Sequence, residues 1–259
     1  LEGTLSSNSL NPTSPGQQDL LYTAKGDDTA VGANVGILFQ PYENTTFGLT
    51  YRSHTKFKLS GDAKLENTQT LGLPENTYKG KAKLDFTAPE SIEFSFTHEF
   101  DDQWTLYAGA VWTRWSRLDK VSISDTVPNP ANGMAPSISP TEEVNFKDTW
   151  AYSIGGSYQV NPEWVLRAGF ALDTSAASDD TRSVRTPIAE RKAITIGAGW
   201  NVTQDLTIDA AYGYLWESDA KVDQGNKNGL TDTGSSRPGF KGTFKNKIHG
   251  LSGQVTYRF

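Results

Sequence analysis

Five cations of this chain, Arg52, Lys56, Lys58, Arg167 and Arg191, fall on the polar face of stretches where apolar and polar residues alternate. Arg114 shares a face with Trp112 by strict count, so it is a candidate only at the rim of such a stretch. Guanidinium and ammonium groups can hold a carboxylate through charge-assisted hydrogen bonds. An amphipathic anion also needs an apolar groove beside them, where each buried methylene contributes roughly 0.8 kcal/mol. The same cations can instead brace a wall, with Glu93, Glu99, Asp173, Asp209 and Glu217 as partners. Other chemistry finds little to work with. The three histidines, His54, His98 and His249, lie at no metal-binding spacing, and there is no cysteine. No Gly-x-Ser-x-Gly elbow occurs, so a hydrolase would have to rest on His54 alone. Gly32-Ala33-Asn34-Val35-Gly36 is followed by a strand pattern and no helix, unlike a nucleotide loop. No catalytic residue, metal site or cofactor is expected.

The elements that must position these cations are strands. In the last stretch Leu251, Gly253, Val255, Tyr257 and Phe259 share one face, and Gly250, Ser252, Gln254, Thr256 and Arg258 share the other. Trp150, Tyr152, Ile154 and Tyr158 alternate in the same way with Ser153, Gly155, Ser157 and Gln159. The pattern predicts nine strands, roughly 32–40, 46–60, 77–100, 103–116, 142–160, 163–173, 190–201, 205–217 and 243–259. Pro89 interrupts the third, which is read as one long strand kinked there because proline removes a ladder hydrogen bond. Short connections at 41–44, 101–102, 161–162 and 203–204 alternate with long ones at 61–76, 117–141, 174–189 and 218–242.

That alternation fits an outer-membrane β-barrel, with short periplasmic turns and long external loops. Hydrophobic residues make up 36% of the chain and aromatics 11%, with seven Trp and ten Tyr. Such a balance suits strands that show only alternate residues to lipid, with aromatic girdles at the interfaces. No apolar run is long enough for a membrane-spanning helix. A net charge of -6 argues against nucleic-acid binding. If the last strand ends in the periplasm, nine strands back the chain enters from outside. Residues 1–31 then read as the end of an external loop, and 32–259 as the last nine strands of one barrel domain. An even strand count would require an odd number of strands before Leu1, so the intact protein is expected to be heavier than this chain.

With the strands placed, an ordered set of motifs resembles the long-chain fatty acid transporters of the outer membrane. It comprises Leu49-Thr50-Tyr51-Arg52-Ser53, Ala88-Pro89-Glu90, Trp112-Thr113-Arg114-Trp115-Ser116, Phe146-Lys147-Asp148-Thr149-Trp150, Asn161-Pro162-Glu163-Trp164, Arg167 to Ser175, and Arg182-Ser183-Val184-Arg185-Thr186-Pro187 with Glu190-Arg191. Ala176 stands where family members often carry proline. The resemblance implies a fourteen-stranded barrel plugged by an N-terminal hatch, with hatch and first strands outside this sequence. It implies passive uptake of fatty acids or other hydrophobic small molecules, a Gram-negative outer membrane as location, lipid or detergent around the wall, and a monomer.

On that reading Arg52, Lys56, Arg114, Arg167 and Arg191 are the candidate ligand cations. Leu20 and Leu21, with Leu5, Leu10 and Tyr22, would belong either to an external hydrophobic capture site or to buried loop anchors. Met134 and Ile138 in the 117–141 connection carry the same two readings, as does Val127-Pro128. A general diffusion porin or an adhesin barrel is the alternative from another class, distinguishable by large ion conductance.

Overall fold

A computed structural model of the chain describes residues 1–9, 20–68, 75–127, 141–224 and 240–259. Seventeen strands are numbered along these residues. Nine form one antiparallel sheet: β3 (Asn34–Tyr42), β4 (Thr45–Arg52), β7 (Ser91–Glu99), β8 (Trp104–Thr113), β11 (Thr149–Gln159), β12 (Trp164–Asp173), β13 (Arg191–Asn201), β14 (Leu206–Glu217) and β17 (Lys247–Tyr257). They lie side by side in chain order, as an up-and-down wall requires.

Polar side chains close the short connections. The Asp101 carboxylate accepts from the backbone N–H of Gln103 and Trp104, at 2.8 and 2.7 Å. Asn161 Oδ1 does the same for Glu163 and Trp164, and the Thr203 hydroxyl for Asp205 and Leu206. Each short side chain substitutes for a turn hydrogen bond, which makes these tight reversals cheap.

Register separates the two faces of the wall. Phe39, Phe47, Phe96, Ala108, Ile154, Phe170, Ile194, Tyr214 and His249 are successive cross-strand neighbours on one face. This face is apolar yet open, with Leu251, Ile196 and Val255 among its most exposed side chains. Trp164 and Trp200 stack at 5.5 Å near the short-turn end, and Tyr214 and Trp216 at 5.5 Å near the other. Exposed aliphatic side chains between two aromatic rims are what a hydrocarbon layer covers. The opposite face carries the row Gly36, Thr50, Glu93, Val111, Ala151, Asp173, Arg191 and Glu217.

The second sheet contains β1 (Glu2–Ser9), β2 (Leu20–Asp27), β5 (Thr55–Glu66), β6 (Thr77–Ala88), β9 (Lys120–Asp125) and β10 (Thr141–Glu143), in that order. The neighbours β2-β5-β6-β9-β10 repeat the wall order β3-β4-β7-β8-β11, and each is joined in sequence to its wall counterpart. The second sheet therefore prolongs the wall beyond its long-connection end. Arg52 pairs with Ser91 in the wall, and Thr55 pairs with Ala88 beyond it, so the register crosses the junction without a slip. The stretch predicted as one kinked strand over 77–100 is two strands in two sheets, divided at Pro89-Glu90. The strand predicted over 46–60 divides likewise at Ser53-His54 and continues to Glu66, inside what was expected to be loop. Within 1–31, β1 and β2 form a hairpin. A small pair, β15 (Ala220–Gln224) and β16 (Phe240–Phe244), stands on the last long connection.

One buried apolar cluster among the described residues lies on the second sheet. Tyr22, Ala24, Ala63, Leu65, Ala82, Ile123 and Val127 are buried together, with Tyr78 and Leu84 against them. Its one buried carboxylate is answered: the Tyr22 hydroxyl donates to Asp125 at 2.9 Å and the Val127 N–H at 3.1 Å. Burial holds the Asp125 carboxyl above its ordinary range.

At the junction Glu90 is buried and takes hydrogen bonds from the guanidinium groups of Arg117 and Arg114. Arg117, then Arg114, hold its carboxyl down at about 2, against an ordinary value of 4.5. Its contribution is complete above about pH 4.5 and is lost as pH falls through about 2. Arg114 is half exposed, so Glu90→Gln should cost about 1–2 kcal/mol. Protease cleavage at the junction should rise roughly tenfold at pH 7. At pH 2 the variant and the parent should differ far less, and equal cleavage at both pH values would contradict this role.

Candidate functional site

On the inner face, at the long-connection end of the wall, a cleft of about 220 Å³ opens between wall and loops. Val111 and Thr113 of β8, Thr149 and Ala151 of β11, and Asp173 and Arg191 at the ends of β12 and β13 form its floor. Trp115, Phe146, Ala176, Ile188 and Ala189 supply the apolar sides. Trp115 lies in a single 3-10 turn, Trp115–Arg117, and meets the Phe146 ring edge-on at 6.1 Å. That turn holds because the Leu118 N–H bonds the Trp115 carbonyl at 2.8 Å and the Ser116 N–H bonds Asp148 at 3.1 Å.

The segment 174–189 is drawn together, and tied to β15, by Arg182. Its buried guanidinium donates to the carbonyls of Ile188, Lys221 and Ala177 at 2.7, 2.9 and 3.3 Å, and pairs with Asp179 at 2.5 Å. Hydrogen bonding from Arg182 holds the Asp179 carboxyl below its usual range. Ser175 adds bonds to the carbonyls of Ala177 and Ile188. One buried cation thus shapes the side of the cleft carrying Ala176, Ile188 and Ala189.

The charged end of the cleft is closed by an ion pair. Arg191 and Asp173 are direct cross-strand partners, with Nη2 and Oδ2 2.5 Å apart. Glu217 faces Arg191 from the other side. A second pair, Arg167 to Asp209 at 2.8 Å, lies nearer the short turns. Gly199 makes room for it, since a Cβ there would meet the Asp209 carboxylate at 2.6 Å and the Arg167 guanidinium at 3.1 Å.

Of the cations expected to meet ligand, Arg191 alone lines the cleft. Arg167 braces β12 against β14, and Arg114 binds Glu90 at the junction, 3.2 Å away. Arg52, at the end of β4, and Lys56, on β5, have no ion pair among the described residues. Leu21 is partly buried and lies on the face of β2 opposite the core, whereas Tyr22 is a buried anchor. Leu20 begins β2, and its side chain lies outside the described set, as does that of Leu5. Leu10, Pro128, Met134 and Ile138 also lie outside the described residues. Trp115, Phe146, Ile188 and Arg182 were not singled out as site residues. The alternation that marks a wall strand does not extend to a 3-10 turn or a loop.

The model of the family described as "Outer membrane protein transport protein (OMPP1/FadL/TodX)" matches residues 1–259. The chain is 26% identical over 207 residues to the long-chain fatty acid transport protein of Escherichia coli K12, covering 77% of this chain and 45% of that protein. It is 30% identical over 186 residues to outer membrane protein P1 of Haemophilus influenzae, covering 71% and 37%. The chain spans about half or less of the length of these relatives. Among solved structures, a FadL homologue from Pseudomonas aeruginosa superposes with a TM-score of 0.75 at 24% identity, covering 99% of this chain and 61% of that one. The toluene transporter TbuX of Ralstonia pickettii superposes at 0.58 with 18% identity, covering 97% and 55%. An apolar outer face, a polar inner face and a family match over its whole length agree: this chain belongs to the OMPP1/FadL/TodX family of outer-membrane transport proteins.

Proposed function

We propose that the chain forms part of the wall of a channel for passive uptake of long-chain fatty acids or related hydrophobic compounds across the outer membrane. The inner cleft carries this reading. It is apolar on the side of Trp115, Phe146 and Ile188, polar on the side of Arg191 and Asp173, and of a size for a segment of chain rather than a whole one. At roughly 0.8 kcal/mol per buried methylene, several methylenes hold a ligand transiently without trapping it. Because Arg191 is already paired to Asp173, a passing headgroup is guided and not fixed. Relatives bearing the names long-chain fatty acid transport protein and toluene transporter are consistent with a hydrophobic cargo.

Ala151 faces the cleft between Val111 and Asp173, whereas Ala168 is exposed on the outer face. Ala151→Trp should fill the cleft and lower the initial rate of fatty acid uptake about tenfold, a loss of roughly 1.4 kcal/mol in the passage step. Ala168→Trp should leave the rate unchanged. Undiminished uptake by a stably inserted Ala151→Trp protein would overturn the assignment.

A further inference from the structure

The β5–β6 hairpin has a chemically one-sided surface. Lys56, Lys58 and Lys64 of β5 and Lys79, Lys81 and Lys83 of β6 all lie on the face turned away from the core, as the register requires. Three acids, Asp62, Glu66 and Asp85, share that face. The excess is cationic in a chain where 30 acids outnumber 24 bases. Lys81 is paired with Asp62 at 2.5 Å and Lys64 with Glu66 at 2.8 Å. Lys56, Lys58, Lys79 and Lys83 are exposed and have no ion pair among the described residues. No apolar seat lies among them, so the surface suits attraction of a charged group, not retention of a tail.

Its direction follows from the unbroken register across the junction. Even-numbered residues of β4, including Thr50 and Arg52, carry the inner face, and the same parity in β5 carries Lys56 and Lys58. Odd-numbered Ser91 and Glu93 of β7 are on the inner face, and the same parity in β6 carries Lys79, Lys81 and Lys83. The lysine face is the external continuation of the inner face of the wall. Lysines with no ion pair among the described residues stand outside, and further in the pairs Arg191–Asp173 and Arg167–Asp209 present neutralised charge. An anion is drawn toward such an entrance and is not held fast once inside.

We propose that the lysine face of β5–β6 is an electrostatic gathering surface for the headgroups of anionic amphiphiles, making the channel selective for monocarboxylates over neutral compounds with the same tail. This rests on the uptake function proposed above. One-signed surfaces raise encounter rates about ten- to a thousandfold at low ionic strength. With exposed lysines interspersed with three acids, the low end applies. The range is set by screening over about 8 Å at physiological salt.

The test compares initial uptake of a long-chain fatty acid and of its methyl ester by the full-length protein, at low and high ionic strength. Wild-type protein should take up the acid several-fold faster at low salt, and high salt should remove that advantage. Lys79→Glu with Lys83→Glu should lower acid uptake about three- to tenfold at low salt and leave ester uptake unchanged. Lys79→Gln with Lys83→Gln should give an intermediate loss. Equal changes for acid and ester, or no change for either, would overturn the gathering role. Transport of the ester without the acid by wild-type protein would overturn it while leaving hydrophobic uptake standing. Transport of neither probe would remove the uptake function itself.

Discussion

Arg182→Ala is expected to release the 174–189 segment, raising amide exchange there about a hundredfold while exchange in the wall strands stays as it was. The guanidinium is buried and serves three backbone carbonyls from separate places, Ala177, Ile188 and Lys221. Removing it leaves those acceptors without their donor, at about 1 kcal/mol each and about 3 kcal/mol together. The Asp179 pair adds little, because that carboxylate is 69% exposed and solvated. Lysine should not rescue the loop. Its single ammonium cannot reach three carbonyls that a planar fork spans. Exchange rates equal to the parent's, or full recovery in Arg182→Lys, would show that the segment is held by something else. The consequence reaches the cleft, since Ala176, Ile188 and Ala189 form one of its sides.

Gly61→Ala should detach β2 from β5 and expose the outer sheet to protease. Gly61 sits directly opposite Gly26, and a Cβ on it would lie 2.0 Å from the Lys25 carbonyl oxygen and 2.8 Å from the Gly26 Cα. Both neighbours are backbone, so no rotamer change can relieve the clash and the strands must part. The cost should approach about 3 kcal/mol, at the upper end for overpacking. It falls on a small core that relies on Tyr22 and Ala24 of β2. Limited proteolysis should cut within 20–66 about a hundredfold faster, with the nine-stranded wall intact. Parental resistance in Gly61→Ala would mean that the two strands accommodate the added methyl group without parting.

The wall was legible because lipid on one side and polar surroundings on the other impose a period of two over long stretches. Trp150, Tyr152 and Ile154 against Ser153, Gly155 and Ser157 admit only a strand with two different faces. The outer sheet was harder to see. Leu59, Gly61, Ala63 and Leu65 do alternate, but the face they build is small-sided, and Asp62 and Lys64 between them read as loop. Which strands pair there depends on contacts distant in sequence, such as Leu84 with Ile123. The site divides along the same line. Arg191 could be placed on the inner face by counting. Its closure by Asp173 needed the β12–β13 register, and the aromatic side of the cleft needed a turn and a loop whose positions follow from tertiary hydrogen bonds. Arg182 stood out only within a run of motifs. Nothing local distinguishes a buried arginine that gathers carbonyls from an exposed one.

The repeated neighbour order of the two sheets bears on how such a protein can change. A loop tied at two ends can be exchanged like a cassette. The outer sheet is stitched to the wall at five places, β2 to β3, β4 to β5, β6 to β7, β8 to β9 and β10 to β11. No single cut and splice can transplant it, and inserting one residue between Arg52 and Thr55 would turn the lysine face of β5 over relative to the wall. Diversification of the outer sheet is thus channelled into side-chain replacement on a fixed lattice, with new lengths admitted at the strand tips.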